Sequence, residues 1–403
     1  MRKIPVLFIV FMAFCFAAPP DAETRAKSDA ETRALWVTRF ELVSSENIPV
    51  LVKRAADANF NTLFVQVCGR GTAFYDSRIL PRDTRAVNFD ALALTLAEAK
   101  KYGISVHAWI NTLYVWSDTE PPVSPEHVVN KHPEWIMTLR GSGNDKYLDP
   151  AIPEVREYLK AVYLEVARNY PVDGVHLDYV RYPGAWSGFT KHSRKDFERL
   201  TGIDPLALYQ NKEIALRLFG QEQYRQYIAL WDGYRQEAVN DLVRAIFREL
   251  LVSAPDVLLT AAVMPDPKSA AAVNFQDWEA WLNGGYIDAV VPMIYDVDRN
   301  VVQRQAAKAA ELADRYAIPV YVGLGAWRRS ADDIAADVAF VRQLQASAGY
   351  KHLNGVVLFS YDGIKNPPAY LDKLRQKVFA RSAEKTPPRE QRVVNEEKPK
   401  TKS

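Results

Sequence analysis

The sequence predicts a (β/α)8 TIM barrel with long loops at the C-terminal face of its strands. Three observations carry this expectation. Short apolar or β-branched runs recur along the chain, helical patterns separate them, and no Gly-rich turn follows the first run. Continuous apolar runs fit strands buried on both faces of a parallel sheet. Regular alternation of such strands with helices fits a barrel or an open doubly wound sheet. The open sheet usually carries a Gly-rich phosphate turn after strand one; here that stretch reads VTRFELVSS.

The strand candidates come in this order. RALWVT (33–38) is followed by the helical IPVLVKRAADANF, and TLFVQV (62–67) by FDALALTLAEAKKYG. SVHAWIN (105–111) precedes PEVREYLKAVYLEVARNY, which Pro153 opens at a position that suits the pre-set φ of proline. VDGVHLD (172–178) is the fourth run, and YRQEAVNDLVRAIFRELLV leads to the fifth, VLLTAAV (257–263). IDAVVPMIY (287–295) is the sixth and QRQAAKAAELADRYA leads to the seventh, PVYVGLG (319–325). The next helix is capped by Ser330, with Asp332 and Asp333 in its first turn to complement the helix dipole. NGVVLFS (354–360) is the eighth run, and a helix near 369–380 closes the barrel. Three long connections, 69–88, 112–153 and 184–223, leave the C-terminal ends of strands two, three and four. Long loops on that face usually serve function.

The chain ends read differently. Arg2 and Lys3 precede the apolar run 4–18, which closes on Ala17 and Ala18, the pattern of an export signal. The run is shorter than the ~20 residues of a comfortable membrane span. The expected organisation is a signal peptide at 1–18, a flexible leader at 19–31, the barrel at 32–380 and a charged disordered tail at 381–403. Export to the periplasm or cell envelope, or secretion, follows. Cys15 raises a lipid anchor, but Phe14 stands before it where lipoprotein signals want a small residue. With the signal removed Cys68 is alone, so the fold relies on its core and not on a disulfide. In its apolar run that thiol reads as inert. A net charge of +2 gives no case for nucleic acid or an anionic membrane as partner. No His/Cys metal spacing appears, so neither metal nor cofactor is expected, and a monomer is expected.

A barrel places its catalytic groups at the C-terminal ends of several strands. Here those ends carry Arg39 and Glu41; Gln66 and Arg70; His107, Asn111, Tyr114 and Trp116; His176, Asp178 and Arg181. The later ends carry Asp266; Tyr295 and Asp296; Trp327 and Arg328; Tyr361 and Asp362. Side chains two apart share a face of a strand. His176 and Asp178 therefore face the axis if Val175 and Leu177 face the helices, and Asp178 sits at the mouth. His176, one layer deeper, is expected to orient it. The same parity puts His107, Trp109 and Asn111 on one face. The competing reading of Asp178 is a structural ion pair with Arg181.

At these residues the chain resembles the glycosyl-hydrolase-like 10 family of bacterial envelope proteins. The resemblance rests on RALWVTRFE, NFNTLFVQVCGRGTAFYDS, VHAWIN, HPEW, VDGVHLDYVRYPG and IDAVVPMIY, and spans roughly 31–380. It implies an exported barrel that hydrolyses bacterial glycans, with peptidoglycan strands stripped of their peptides as one substrate. DGVHLD is also similar to the fourth-strand motif of α-amylase-type barrels, which would make Asp178 the nucleophile. Those enzymes carry their acid as Glu after strand five, where this chain reads AAVMPDP, so the acid does not carry over.

Glycoside hydrolysis generally needs two carboxyl groups flanking the bond. Asp178 is the expected nucleophile or base. Glu41 and Asp296 lead as partner, with Asp266 and Asp362 behind. Arg39, Arg70, His107, Asn111, Trp116, His176, Arg181, Tyr295, Trp327 and Tyr361 are candidates for substrate contact, and the expected partner is a polysaccharide. Two alternatives stay open: a barrel that binds glycan without cutting it, and a metal-dependent hydrolase or deacetylase using His107, His176 and Asp178.

Overall fold

In the computed structural model, residues 31–86, 88–138 and 143–381 are described. The signal, leader and Cys15 readings on 1–30, and nearly all of the charged tail, lie outside the described residues. Eight parallel strands close into a barrel: β1 (Thr32–Val37), β2 (Thr62–Gly69), β3 (Ser105–Asn111), β4 (Gly174–Asp178), β5 (Leu258–Val263), β6 (Ala289–Ile294), β7 (Val320–Gly325) and β8 (Leu353–Phe359). Each pairs with the next in parallel, and β8 returns to β1 with Thr32 opposite Gly355. The TIM barrel expected from the alternation is therefore the observed fold.

One principal helix follows each strand: α1 (Asn47–Asp57), α2 (Ala91–Lys101), α3 (Pro153–Asn169), α4 (Lys212–Ser253), α5 (Trp278–Gly284), α6 (Arg299–Tyr316), α7 (Ala331–Ala348) and α8 (Ala369–Lys377). Local chemistry sets their starts. Pro153 stands at the first turn of α3, the Asp90 side chain accepts from the Ala93 N–H, and the Ser330 hydroxyl accepts from the Asp333 N–H. α4 is broken at Gly220, whose φ of 72° only glycine adopts freely.

Strand parity divides the core in two. Leu35, Val37, Leu63, Val65, Val106, Val175 and Leu177 pack outward with the helices. Ala34, Trp36, Phe64, Trp109, Ala262, Val291, Tyr321 and Val357 fill the inside of the barrel. Large rings fit there because facing positions are small. A Cβ on Gly174 would lie 2.3 Å from His107 Nδ1, and one on Gly323 would lie 3.0 Å from the Trp36 ring.

The N-terminal rim is held by a recurring device. The residue just before a strand accepts a backbone N–H from the strand beside it: Asn61 from Arg33, Asp173 from Val106, and Asp288 from Leu259. Such ties leave the opposite, C-terminal rim free to carry loops. There the connection after β3 folds into a small antiparallel hairpin, Tyr114–Trp116 with Lys146–Tyr147. The one after β4 adds two helices, Lys191–Thr201 and Pro205–Gln210.

Candidate active site at the C-terminal mouth

Asp178 ends β4 opposite Asn111 of β3, and only 6% of it is exposed. Three donors aim at its carboxylate. The Tyr179 N–H reaches Oδ1 at 2.6 Å, the Trp109 indole N–H reaches Oδ2 at 3.1 Å, and Arg181 Nη1 lies 3.4 Å from Oδ1. Tyr179 has φ of 50°, a left-handed conformation uncommon for a bulky residue, directly after the strand end that carries Asp178. Burial pushes the Asp178 carboxyl above its usual range, opposed by the Arg181 charge and then by these hydrogen bonds. A long contact to Arg181 is a loose ion pair, so the carboxylate is positioned without being consumed.

The orientation of Asp178 corrects one expectation. Its side-chain partners are Trp109 and Arg181, not His176. His176 is fully buried one layer down, between the Trp36 indole N–H (3.3 Å to Nε2) and Thr260 Oγ1 (2.9 Å from Nδ1). That pairing fits a neutral ring with its proton on Nδ1. Burial, with the nearby His107, pushes its pKa well below the usual histidine value. Both imidazoles pack against Phe64, at 4.8 Å for His107 and 4.5 Å for His176. Among the described residues no three His, Cys, Asp or Glu side chains converge as metal ligands. The two histidines instead form the floor beneath the carboxylate.

Aromatic rings wall the mouth. Tyr295 packs with Trp36, Trp327 and Phe359 at 5.1–6.1 Å, and 40% of Trp327 stays exposed. Tyr179 stacks on Tyr114 at 4.9 Å, and the Arg181 guanidinium lies 4.6 Å over the Tyr179 ring. Between these walls Gln66 donates to Asn111 Oδ1 at 3.1 Å and accepts the Arg39 N–H at 3.0 Å, linking the ends of β1, β2 and β3. Arg70 covers the Trp116 ring at 4.4 Å.

The candidate partner carboxyls fare unequally. Glu41 is buried and its Oε1 holds Lys365 Nζ at 2.5 Å, which makes it one half of an ion pair behind the rim. Asp266 is spent as the N-cap of a short helix, accepting from the Ser269 N–H. Asp362 accepts from Thr38 and Ser360 hydroxyls. Asp296 is half-buried after β6, beside Tyr295, and among the described residues its Oδ1 accepts only the exposed Asp298 N–H. Tyr361 is 3% exposed with Arg54 over its ring at 5.9 Å, which leaves little of it for a ligand.

Five contributors were not singled out as site residues from the sequence. Trp109 had a signal: parity placed it between His107 and Asn111 on the axis side. Tyr179 had none, since its contact with Asp178 is made by a backbone N–H. Asp145 sits beside the hairpin and accepts from Tyr114 Oη at 3.2 Å, next to the Tyr179 stack. Asp149, fully buried, accepts from Tyr182, Thr190 and Ser193 hydroxyls (2.5–3.0 Å) and from the Ala151 N–H. It thereby ties the connection after β3 to the one after β4. Burial pushes its pKa up, against those same hydrogen bonds. Arg235 of α4, also buried, donates to the Ala185 and Ser187 carbonyls and fixes the second of these loops.

Comparison with known proteins gives a consistent picture. The sequence model of the family described as glycosyl hydrolase-like 10 matches residues 31–337. Glycosyl hydrolase YngK of Bacillus subtilis (strain 168) is 24% identical over 406 residues, covering 89% of this chain and 74% of that protein. Glycosyl hydrolase DigH of Escherichia coli (strain K12) is 26% identical over 446 residues, covering 90% and 93%. Among solved structures, the glycoside hydrolase domain of PgaB (BpsB) from Bordetella bronchiseptica superposes with a TM-score of 0.58 at 14% identity, over 86% of this chain and 99% of that one. The catalytic domain of a Paenibacillus polymyxa β-amylase gives 0.60 at 11%, over 89% and 100%. At those identities the structural likeness speaks for the fold alone.

Proposed function

We propose, from the premise that this chain belongs to the glycosyl hydrolase-like 10 family, that it is a glycoside hydrolase whose key carboxylate is Asp178. The observation that carries the reading is the setting of that group. It ends a barrel strand at the axis, is nearly buried, and is held by an indole, a backbone N–H and a loosely placed guanidinium. Its substrate on this reading is a bacterial envelope polysaccharide, peptidoglycan glycan strands stripped of peptides first. The basic-then-apolar pattern of residues 2–18, read as an export signal, supports that assignment.

The chemistry needs a glycosidic C–O bond to break, its oxygen to take a proton, and water to complete the sugar. Asp178 serves in its ionised form, attacking the anomeric carbon or taking a proton from water. The Tyr179 and Trp109 N–H groups each hold one of its oxygens and so fix the plane of the carboxylate before substrate arrives. Tyr295 and Trp327 offer ring faces to the sugar. Asp296 is the partner we favour, because its side chain is half-buried beside Tyr295 and pairs with no cation among the described residues. Asp145 competes for that role from the hairpin side.

The test is product analysis after incubation with peptide-free peptidoglycan strands and with other polysaccharides. New reducing ends are expected from wild type and are expected to fall by at least ~10³-fold in Asp178→Asn. No new reducing ends from any glycan, with the fold intact, leaves a glycan-binding barrel instead.

A further inference from the structure

The rim beside β1 and β2 carries more guanidinium than its carboxylates answer. Arg39 follows β1 and Arg70 follows β2. The Arg39 side chain lies over Gly69, so closely that a Cβ there would come within 2.8 Å of its Cδ and 2.9 Å of Nη1. Arg70 is held at φ of 56°, its carbonyl 2.8 Å from His127 Nε2. Arg85, the third cation of the group, is bound to Asp83 through both Nε (2.8 Å) and Nη2 (2.9 Å). Arg70 reaches only the exposed Asp118, at 3.3 Å. Arg39 has no ion-pair partner among the described residues; its guanidinium rests 4.7 Å over the Phe40 ring. The Nε atoms of both Arg39 and Arg70 are buried without a hydrogen-bond partner among the described residues.

A buried N–H without a partner carries a desolvation cost, larger when the group is charged. The Nε atoms themselves are shielded, but both side chains stay partly exposed, so an incoming anion would meet the outer guanidinium nitrogens of two under-compensated cations. Burial pushes the Arg39 guanidinium below its usual value, and the charges of Arg85 and Arg70 push the same way, opposed in part by the Asp83 carboxylate. Guanidinium forks match a carboxylate bidentately. The place matters too: Arg39 is tied through Gln66 and Asn111 to the strand end that faces Asp178. That is three strand spacings of ~4.8 Å around the rim. Arg70 stacks on Trp116, an aromatic face that a sugar can share.

We propose that Arg39 and Arg70 form a subsite for a carboxylate borne by a sugar of the glycan, set back from the bond that is cut. The proposal rests on the glycoside-hydrolase reading of the same mouth and narrows its substrate to an acidic glycan.

The test compares binding and cleavage of two probes by the full chain: peptide-free peptidoglycan strands with free lactyl carboxylates, and the same strands with those carboxylates reduced to alcohols. Wild type is expected to favour the acidic strands by about tenfold in Kd, equivalent to about 1.4 kcal/mol. That ratio is expected to fall to about one in Arg39→Gln. Gly69→Ala keeps both arginines and displaces the Arg39 guanidinium, so it should lose the ratio too, even if Arg39→Gln fails to fold. A wild-type ratio of one, or a ratio unchanged in both variants, overturns the proposal. Because Kd is read separately from reducing ends, a preserved ratio without cleavage counts against the hydrolase reading only. Cleavage with a ratio of one counts against the subsite only. Competition by N-acetylmuramic acid points to a lactyl carboxylate, and competition by glucuronic acid to a uronate.

Discussion

Removing the indole donor of Trp109 isolates its effect on Asp178. Trp109→Phe keeps an aromatic ring on the side of Phe359, whose ring lies 6.3 Å from the indole, and removes the N–H 3.1 Å from Asp178 Oδ2 together with part of the ring volume. A hydrogen bond to a charged group contributes about 1.5–3 kcal/mol. At 1.36 kcal/mol per pKa unit, its loss raises the carboxyl by about 1–2 units. Tyr179 and Arg181 still hold Oδ1, so a shift of about one unit is expected. The direction is upward because the indole favours the charged form, and burial already pushes Asp178 up. If Asp178 works as a carboxylate, the acid limb of kcat/KM moves to higher pH by that amount. On that limb the variant is slower by about tenfold, while on the plateau it stays within a few-fold of wild type. The assay is reducing-end release from peptide-free strands between pH 4 and 8. An acid limb that stays in place refutes the argument, and a shift of the alkaline limb would make Asp178 the acid.

Other expectations follow from the same contacts. Glu41→Gln should lower stability by about 1–3 kcal/mol in denaturant melts through loss of the Lys365 pair, leaving kcat within a few-fold. A thousandfold fall in kcat would instead make Glu41 the partner carboxyl. Asp149→Ala orphans three hydroxyls and an N–H and should cost about 3 kcal/mol or more, read as a lowered denaturation midpoint. Because burial raises the folded pKa of Asp149, its contribution to stability is fullest below the unfolded value and is lost as pH rises through the folded one. The stability difference between wild type and Asp149→Asn should therefore shrink as pH rises from about 4; a difference that grows contradicts this. Trp327→Ala should raise KM by about fivefold with little change in kcat, the loss of about 1 kcal/mol of stacking; an unchanged KM removes Trp327 as a sugar platform.

The sequence by itself determined the barrel and the place of Asp178. Parity within β4 and the order of eight apolar runs are local properties, because a strand's side chains alternate whatever its neighbours do. SVHAWIN coincides with β3 to the residue, and the remaining runs match within two residues at either end. Parity also aimed His176 and Asp178 at the axis, where they stand. What parity could not supply is which groups meet across strands. Trp109 reaches Asp178 over 69 residues because β3 and β4 are in register, Trp109 opposite His176 and Asn111 opposite Asp178. Glu41 is diverted to Lys365 over 324 residues by the closing of β8 onto β1. The Arg39 and Arg70 guanidiniums come together because β1 and β2 are neighbours and Gly69 leaves room between them. Register, ring closure and available volume are properties of the assembled barrel. They decided which carboxylate stays open to a substrate and which is taken up by the fold.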